Sequence, residues 1–299
     1  MTTTQLRRPH RPGPAGRLFL GPDRRLRRWW RVLAYLAAVL ALAAPLGGWG
    51  QRSLTANLIA HAGVLLGVLG LTYVFRRHVD RRRWRDIGLT GRPGRNLWVG
   101  FLTGVLAMVA YLAVLWGAGW ARFTGTELAD RGVPGAVGLL GAGLFFFATS
   151  AVVQEVAFRG YVLQTLADGW SLRGAAVSSS VIFALLHFSG VPTPLFALIL
   201  LADLGLMAGF LVLTRLSTGA LWLAIGFHTA WNWTMDTVFS LDTDVGADYG
   251  DALVHVRLHA PAAGLGPQGA AELLYLLTSA LLFTGYWLVT SRRRAVVPG

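Results

Sequence analysis

Long apolar runs separated by short polar segments dominate the pattern of this chain. Most runs hold close to the twenty apolar residues that a helix needs to cross the hydrocarbon core of a bilayer. Glycine, proline and arginine lie between the runs and favour breaks or the membrane surface. The pattern therefore predicts an all-α polytopic membrane protein with about eight transmembrane helices, at residues 29–49, 54–75, 97–120, 136–157, 175–188, 195–214, 219–239 and 270–290.

Two segments rich in glycine and proline sharpen these boundaries. Pro134 and Gly135 predict a break before the fourth helix, and Gly190-Val191-Pro192 predict the end of the fifth. The fifth predicted helix is also the shortest. We therefore expect it to be tilted, or to end inside the protein.

The composition agrees with a membrane location. Of the 299 residues, 54% are hydrophobic and only 14% are charged, whereas a soluble domain carries about 25% charged residues. The chain has no cysteine, which excludes disulfides and thiolate chemistry. The net charge of +13 does not indicate nucleic acid as a partner, because the basic residues lie at the ends of apolar runs and not along one soluble face.

The distribution of arginine predicts the orientation. All 27 basic residues are arginine, and most of them lie between Arg7 and Arg31 or in the loop 76–96. Cytoplasmic loops of membrane proteins carry such an excess. We therefore predict a multi-pass protein of the plasma membrane with both termini in the cytoplasm.

Three parts are predicted along the chain. Residues 1–28 form a basic, disordered cytosolic arm, residues 29–291 a helical membrane domain, and residues 292–299 a short basic cytosolic tail. The loop 76–96 is predicted to lie at the interface, with Trp84, Ile87 and Leu89 among the headgroups. The loop 240–269 is predicted to be flexible, external and acidic, with Asp242, Asp244, Asp248 and Asp251.

Polar residues interrupt three of the apolar runs, in "TSAVVQEVAFRGYVL", "SSSVIFALLHF" and "GALWLAIGFHTAWNW". Ionisable groups at membrane depth are costly, so they usually face one another or a water-filled cavity. Glu155 and Arg159 are four residues apart and share a helix face, as an ion pair requires. His228 and Asn232 have the same spacing, and Asp236 lies one turn further. His187 follows Phe183 by four residues.

Each pair has a structural alternative when it is taken alone. Glu155 and Arg159 can form a structural ion pair, His228 and Asn232 an interhelical hydrogen bond, and His187 can be a packed residue. Three such segments in the second half of the chain favour one shared site. Asp203 in the sixth predicted helix has no visible partner.

The ordered trio resembles the CAAX-protease and bacteriocin-processing family of intramembrane proteases, also called the Abi family. The family signature is Glu-Glu-x-x-x-Arg, Phe-x-x-x-His and His-x-x-x-Asn on separate helices. Here it reads Gln154-Glu155-x-x-x-Arg159, Phe183-x-x-x-His187 and His228-x-x-x-Asn232. The resemblance covers about residues 136–239.

The resemblance implies an intramembrane endopeptidase with a conical cavity open to the cytoplasmic leaflet. It implies that Glu155, Arg159, His187, His228 and Asn232 are catalytic, and that Gln154 and Phe183 bind substrate. Glutamate and His187 would activate a water, while His228 and Asn232 would hold the scissile carbonyl oxygen. Glu155, His187 and His228 could instead hold a divalent metal such as zinc. The partners implied are a membrane peptide or protein substrate and the lipid bilayer.

The first motif departs from the family at one position. Gln154 stands where the family has glutamate, and a carboxamide cannot accept a proton as a general base. Glu155 is about 100° further round the helix, so it could replace that group only if the helix were rotated or locally unwound. A catalytically impaired member, acting in binding, immunity or as a scaffold, is therefore the alternative. A small transporter that uses Asp203 and Asp236 is a third hypothesis, and no repeat symmetry supports it.

Overall fold

Helices form most of the structure. The computed structural model describes residues 18–21, 25–187, 193–240, 252–261 and 269–296. Within these ranges six helices are long and apolar enough to cross a membrane, which confirms an all-α, multi-pass membrane protein. The helices are α1 (Arg28–Gly50), α2 (Leu54–Val74), α3 (Gly94–Gly117), α4 (Leu128–Glu155), α5 (Leu163–Ala167), α6 (Leu172–Leu186), α7 (Pro194–Thr218), α8 (Trp222–Asn232) and α9 (Gly269–Val296).

Three of these helices continue into π-helical turns, in which the backbone bonds span five residues. The turns are Phe75–Val79 after α2, Val156–Val162 between α4 and α5, and Trp233–Val238 after α8. A 3-10 turn, Trp84–Ile87, lies in the loop before α3. Such π turns are rare and occur frequently at functional sites.

The fourth predicted helix is much longer than the sequence indicates. The chain breaks at Gly132, with φ 65° and ψ 177° beside Pro134, close to the predicted break. From there α4, its π turn and α5 continue to Ala167, ten residues beyond the predicted end. The apolar run that the prediction used ends before Arg159, whereas Arg159 is fully buried within the continuing helix.

The fifth predicted helix, α6, is short, as its sequence indicates. The Ser171 hydroxyl accepts from the backbone N–H of Gly174 at 3.1 Å and caps its start. The next helix, α7, begins with Thr193 as its cap and Pro194 in the first turn. The predicted break at 190–192, most of the predicted arm 1–28 and the acidic residues Asp242, Asp244, Asp248 and Asp251 lie outside the described residues.

Close backbone contact fixes α8 against α3. A Cβ atom at Gly226 would overlap the carbonyl oxygen of Leu97, and one at Gly100 would overlap that of Leu223. Small residues allow transmembrane helices to approach in this way. Gly226 is two residues before His228, so this contact sets the position of the third polar motif.

A small antiparallel sheet, which the sequence did not indicate, covers one end of the helices. Strand β1 (Ala121–Thr126) pairs with β2 (Val254–Leu258), with Ala121 opposite Leu258. Part of the loop predicted to be flexible is therefore ordered. Glu127 follows β1 and accepts hydrogen bonds from Arg131 at 2.6 Å and from His255 of β2 at 3.0 Å.

A buried carboxylate joins the helices at the opposite end. Asp80 forms ion pairs with Arg31 of α1 at 2.6 Å and Arg76 at 3.2 Å. Tyr161 and Thr165 donate to the same carboxylate at 3.4 and 3.5 Å. Arg82 pairs with Asp168 nearby at 3.1 Å. We call this end of the molecule, defined by Arg31, Arg76, Asp80, Arg82 and Asp168, the arginine end.

The loop 76–96 packs into the protein more deeply than its sequence predicts. Ile87 is fully buried in the core beside Tyr161 and Val162, and Trp84 and Leu89 pack against the same core. The prediction that these side chains lie among lipid headgroups is therefore wrong for Ile87. An apolar side chain in a basic loop suits a membrane surface and a protein core equally well, and only the fold decides between them.

Replacing Asp80 by asparagine should destabilise the protein by about 3–5 kcal/mol, because two buried guanidinium groups lose their counter-charge. Chemical unfolding in detergent micelles measures the change. Asp86→Asn is the matched control, since the Asp86 side chain is 42% exposed and pairs with Arg76 at 3.3 Å. Equal losses in the two variants would contradict a structural role for the buried carboxylate.

Low pH should lower the stability of the region around the β1–β2 sheet. Hydrogen bonding from Arg131, and then from His255, lowers the pKa of Glu127 below its usual range. A lowered carboxyl pKa contributes stability that is present above the unfolded-state pKa and is lost as the pH falls through the folded-state pKa. The melting temperature of the wild type should therefore fall further between about pH 7 and about pH 3 than that of Glu127→Gln.

Asp130→Asn serves as the control for this acid experiment, because Asp130 is exposed in the first turn of the same helix. It should show the wild-type dependence on pH. A Glu127→Gln protein with an unchanged dependence would show that the Glu127 contacts do not stabilise the fold.

Candidate active site

The first and third motifs meet in a buried carboxylate–imidazole pair. Glu155 Oε1 accepts from His228 Nδ1 at 2.8 Å and from Arg159 Nη1 at 3.0 Å. Glu155 and Arg159 are fully buried, and His228 is nearly so. A carboxylate accepts only, so His228 carries its proton on Nδ1. Its Nε2 atom does not take part in this contact, and Glu155 fixes the orientation of the ring.

The second oxygen of the same carboxylate is unused. Glu155 Oε2 is buried and has no hydrogen-bond partner among the described residues. A buried acceptor without a partner is unfavourable and is rare in native proteins. It marks a polar position at the site that a water or a substrate N–H can fill.

The second motif pairs with Gln154 and not with Glu155. His187 Nε2 lies 3.1 Å from Gln154 Oε1, and His187 Nδ1 lies 2.8 Å from the carbonyl oxygen of Phe183. That carbonyl can only accept, so Nδ1 carries a proton. In the neutral imidazole Nε2 is then the acceptor nitrogen, and a hydrogen bond with Gln154 requires the amide to be turned by 180°, with its N–H₂ group in the place of Oε1. The proton position on His187 therefore decides which end of the Gln154 amide faces the ring.

Consecutive residues of α4 thus serve two different partners. Gln154 is half-buried and points to His187, while Glu155 is buried and points to His228. The expected 100° separation between adjacent helical residues is retained, and the π turn begins only at Val156. Glu155 therefore does not take the place of the missing glutamate beside His187.

Phe183 lies between the two halves of the site. Its ring stacks on His187 with centroids 4.1 Å apart, and meets the His228 ring at 6.4 Å in an edge arrangement. The Arg159 guanidinium lies over the same ring at 4.5 Å. These contacts give Phe183 a role in positioning the site, whereas its predicted role in binding substrate stays a prediction.

Asn232 is the last residue of α8, one turn after His228. It is partly exposed, and its carboxamide makes no hydrogen bond within the described ranges. It is therefore free to donate to a ligand on the same side as His228. Asp236 is buried in the π turn that follows.

Two polar features of this half of the protein were missed or misread in the sequence. Arg159 lies within the π turn Val156–Val162, where the sequence predicted an ordinary α-helix. The sequence carries no clear signal for this turn apart from the polar motif residues beside it. Asp203, which showed no partner, accepts from Ser279 of α9 at 2.6 Å. Ser279 could not be predicted as the partner of Asp203, because it lies on another helix and helical spacing relates only residues of one segment.

The described residues do not assemble the ligands that a metal would need. Within them no group of three or more His, Cys, Asp or Glu side chains is arranged to hold a metal ion. Glu155 Oε1 is engaged by Arg159 and His228, and His187 Nε2 faces Gln154. Catalytic zinc sites use three protein ligands, so Glu155, His187 and His228 do not fit a metal in this arrangement. Metal binding stays a prediction for a chelator to test.

Comparison with known families agrees with the geometry. Residues 136–234 match the family described as type II CAAX prenyl endopeptidase Rce1-like, and this range contains every motif residue. The match covers about a third of the chain and confirms the resemblance that the three motifs indicate. No curated protein matches the chain. The family match supports the general activity class of a CAAX-protease-like membrane endopeptidase.

Removing the Arg159 guanidinium should destabilise the protein strongly. Arg159→Met leaves the Glu155 carboxylate buried without its counter-charge, which should cost about 3–5 kcal/mol. Arg159→Lys should cost less, because it keeps the charge but lacks the planar fork whose two nitrogens reach Glu155 at 3.0 Å and the Ala208 carbonyl at 3.2 Å. Unfolding in detergent is the measurement.

Arg173→Met is the matched control, because Arg173 is exposed near the start of α6. It should change stability by less than about 0.5 kcal/mol. If Arg159→Met were as stable as this control, the buried ion pair would not be what holds α4 in place.

Proposed function

We propose that this protein is an intramembrane endopeptidase of the plasma membrane that hydrolyses a peptide bond with protein groups alone. One observation carries the proposal. Two imidazoles, His187 and His228, both lie against the Phe183 ring, and each is held through Nδ1 so that Nε2 is the atom available for chemistry. One can act as a base while the other stabilises charge.

His187 is the group suited to activate water. Its Nδ1–H is held by the Phe183 carbonyl, so Nε2 carries the lone pair in the neutral form. Gln154 cannot take up a proton, but its carboxamide can hold the water or the ring in place. General bases of this kind typically contribute about 10²–10⁴-fold to the rate.

His228 and Asn232 are suited to hold the developing oxyanion. When both of its nitrogens carry protons, His228 donates Nδ1–H to Glu155 and Nε2–H to the carbonyl oxygen of the substrate. The Asn232 carboxamide, one turn further along α8, adds a second donor. Fixed donors aimed at a developing charge supply a large part of the rate enhancement in such reactions. Arg159 neutralises Glu155 and acts as a positioning residue.

The proposed steps balance with these groups. His187 takes a proton from water as the oxygen bonds to the scissile carbonyl carbon, and the oxyanion forms against His228 and Asn232. The carbon–nitrogen bond then breaks, and the proton on His187 passes to the leaving amine. The products are a carboxylate and an amine, and no further reactant is needed.

The depth of the site favours cleavage in the half of the membrane nearer to the arginine end. Tyr161 and Thr165 reach Asp80 at that end, and Glu155 precedes them on the same helix by roughly 9–15 Å. The excess of arginine makes this the cytoplasmic face. We therefore propose that the scissile bond lies nearer to the cytoplasmic than to the external face.

A catalytically impaired membrane protein is the second candidate, and the contact of Gln154 with His187 favours it. The amide occupies the nitrogen that a substrate water would need. In this case the cavity would bind a peptide or protein partner without cleaving it, as in immunity or scaffolding.

Peptide cleavage in lipid nanodiscs, read by mass spectrometry over a diverse peptide library, distinguishes the two candidates. The wild type should cleave, and His187→Ala should lose about 10²–10⁴-fold in rate. Asn232→Ala should lose about 10²–10³-fold. A chelator should leave the wild-type rate unchanged; its loss would show that a metal takes part.

His61→Ala is the control, since His61 is not a motif residue; it bonds the Asn57 carbonyl at 2.9 Å, and its ring packs at a tilt against Phe146. It should cleave within about twofold of the wild type. Cleavage by Gln154→Glu alone would support the impaired protein, and cleavage by His187→Ala at the wild-type rate would exclude the proposed base.

A further inference from the structure

An apolar groove lies between α6 and α9, with α7 between these two helices. α7 packs against both neighbours, and a Cβ atom at Gly205 of α7 would meet nothing within 4 Å. Val177 and Val181 of α6 line one wall, and Phe283 and Trp287 of α9 line the other. The groove has a volume of about 750 Å³, which lies within the range of about 300–1,000 Å³ that small-molecule sites have.

One end of this groove lies at the arginine end of the protein. Arg215 of α7 donates to the Asp86 carbonyl in the arginine-rich loop at 3.0 Å. Ser217 and Tyr286 join α7 to α9 at the same level, where their hydroxyl oxygens are 2.6 Å apart. The next residue, Trp287, is 50% exposed and lines the groove. Tryptophan is enriched at membrane interfaces, so this end of the groove lies at the level of the lipid headgroups.

Two basic side chains lie at this same end. Arg173 lines the groove near the start of α6, soon after Asp168 of the arginine end, and Arg292 directly follows the groove residues of α9. Arg31 and Arg82 are paired with carboxylates, whereas Arg173 and Arg292 are exposed and have no ion-pair partner within the described ranges. They are therefore available to an anionic group at the membrane surface.

The other end of the groove lies near the middle of the membrane. Leu216 and Gly205, the last and first groove residues of α7, are about 16 Å apart along the helix. This length is close to half of a hydrocarbon core of about 30 Å. The groove therefore has the length of one lipid leaflet, which suits an acyl chain, whereas a transmembrane helix would need a groove across the full thickness.

A buried hydroxyl also lacks a partner in this groove. Ser180 of α6 lines it, is only 8% exposed and makes no hydrogen bond within the part of the chain that the structure describes. Burying a polar group without a hydrogen bond is unfavourable. An occupant with an acceptor oxygen, such as the ester carbonyl of a phospholipid, satisfies this hydroxyl, and a plain hydrocarbon does not.

We propose that the groove binds an anionic phospholipid from the leaflet at the arginine end. One acyl chain lies between α6 and α9, and the phosphate lies at Arg173 and Arg292. Basic pockets between transmembrane helices recognise anionic headgroups in this way. The bound lipid supports α6, the helix that carries Phe183 of the second motif. The inference does not depend on peptide cleavage.

Native mass spectrometry of the purified full chain in detergent tests the headgroup. The protein is given phosphatidylglycerol or phosphatidylcholine, each with the same palmitoyl and oleoyl chains. The wild type should retain one phosphatidylglycerol about 25-fold more tightly than phosphatidylcholine, because each arginine near an anionic headgroup contributes about fivefold. The double variant Arg173→Gln and Arg292→Gln should lose this preference. A wild type that retains both lipids equally, or retains neither, would overturn the proposal.

Substitution of a groove residue tests the position of the acyl chain. Gly205→Leu should lower the retention of phosphatidylglycerol by about tenfold or more, because each methylene that leaves the groove loses its burial. Val177→Trp fills the same groove from α6 and should have the same effect. Gly141→Leu in α4 is the matched control, since a Cβ atom there also meets nothing within 4 Å. It should retain the lipid as the wild type does.

Thermal unfolding gives a second measurement on the same proteins. Phosphatidylglycerol should raise the melting temperature of the wild type and of Gly141→Leu more than that of Gly205→Leu or Val177→Trp, because a ligand stabilises only the state that binds it. Equal retention by the wild type and both groove variants would show adventitious lipid at the surface only. A dimer that Gly205→Leu dissociates, with no lipid retained, would show that a second copy of the chain occupies the groove. Either result would overturn the proposal.

Discussion

The pairing of the buried Glu155 carboxylate with Arg159 and His228 is the interaction on which the rest of the site depends. A fully buried charge must be paired and hydrogen-bonded, or it neutralises. Arg159 from the same helix and His228 from α8 meet this need at one oxygen, and the other oxygen stays open. The same contacts therefore join two helices, fix an imidazole and leave one carboxylate oxygen without a hydrogen-bond partner among the described residues.

Arg159 extends this pairing to the neighbouring helices. Its second nitrogen donates to the Ala208 carbonyl of α7, and its plane lies over the Phe183 ring of α6. A planar guanidinium can make these contacts at once, which an ammonium group cannot. One buried side chain thus links α4, α6 and α7 around the histidines, and the π turn Val156–Val162 contains it.

The long unit from α4 to α5 contributes to two polar clusters, and the two clusters have different roles. Four side chains contact the Asp80 carboxylate and connect the helices at the arginine end. Apolar side chains pack between this cluster and the motif residues. The histidine cluster lies beyond that packing, where α6 ends. Both oxygens of the Asp80 carboxylate accept hydrogen bonds, whereas one oxygen of the Glu155 carboxylate has no partner among the described residues, as suits a site for chemistry.

The sequence by itself determined the membrane class, the approximate helices and the three motif segments, because apolar length and i to i+4 spacing are local properties. It also indicated that Gln154 and Glu155 point in different directions. Only the tertiary structure decided that Glu155 pairs with His228 and Gln154 with His187. It alone showed Asp80 and Ile87 buried, Asp203 bonded to Ser279 and part of the acidic loop in a strand. The reason is physical: each of these outcomes depends on which distant helix a side chain meets, and the periodicity of one segment carries no information about its neighbours.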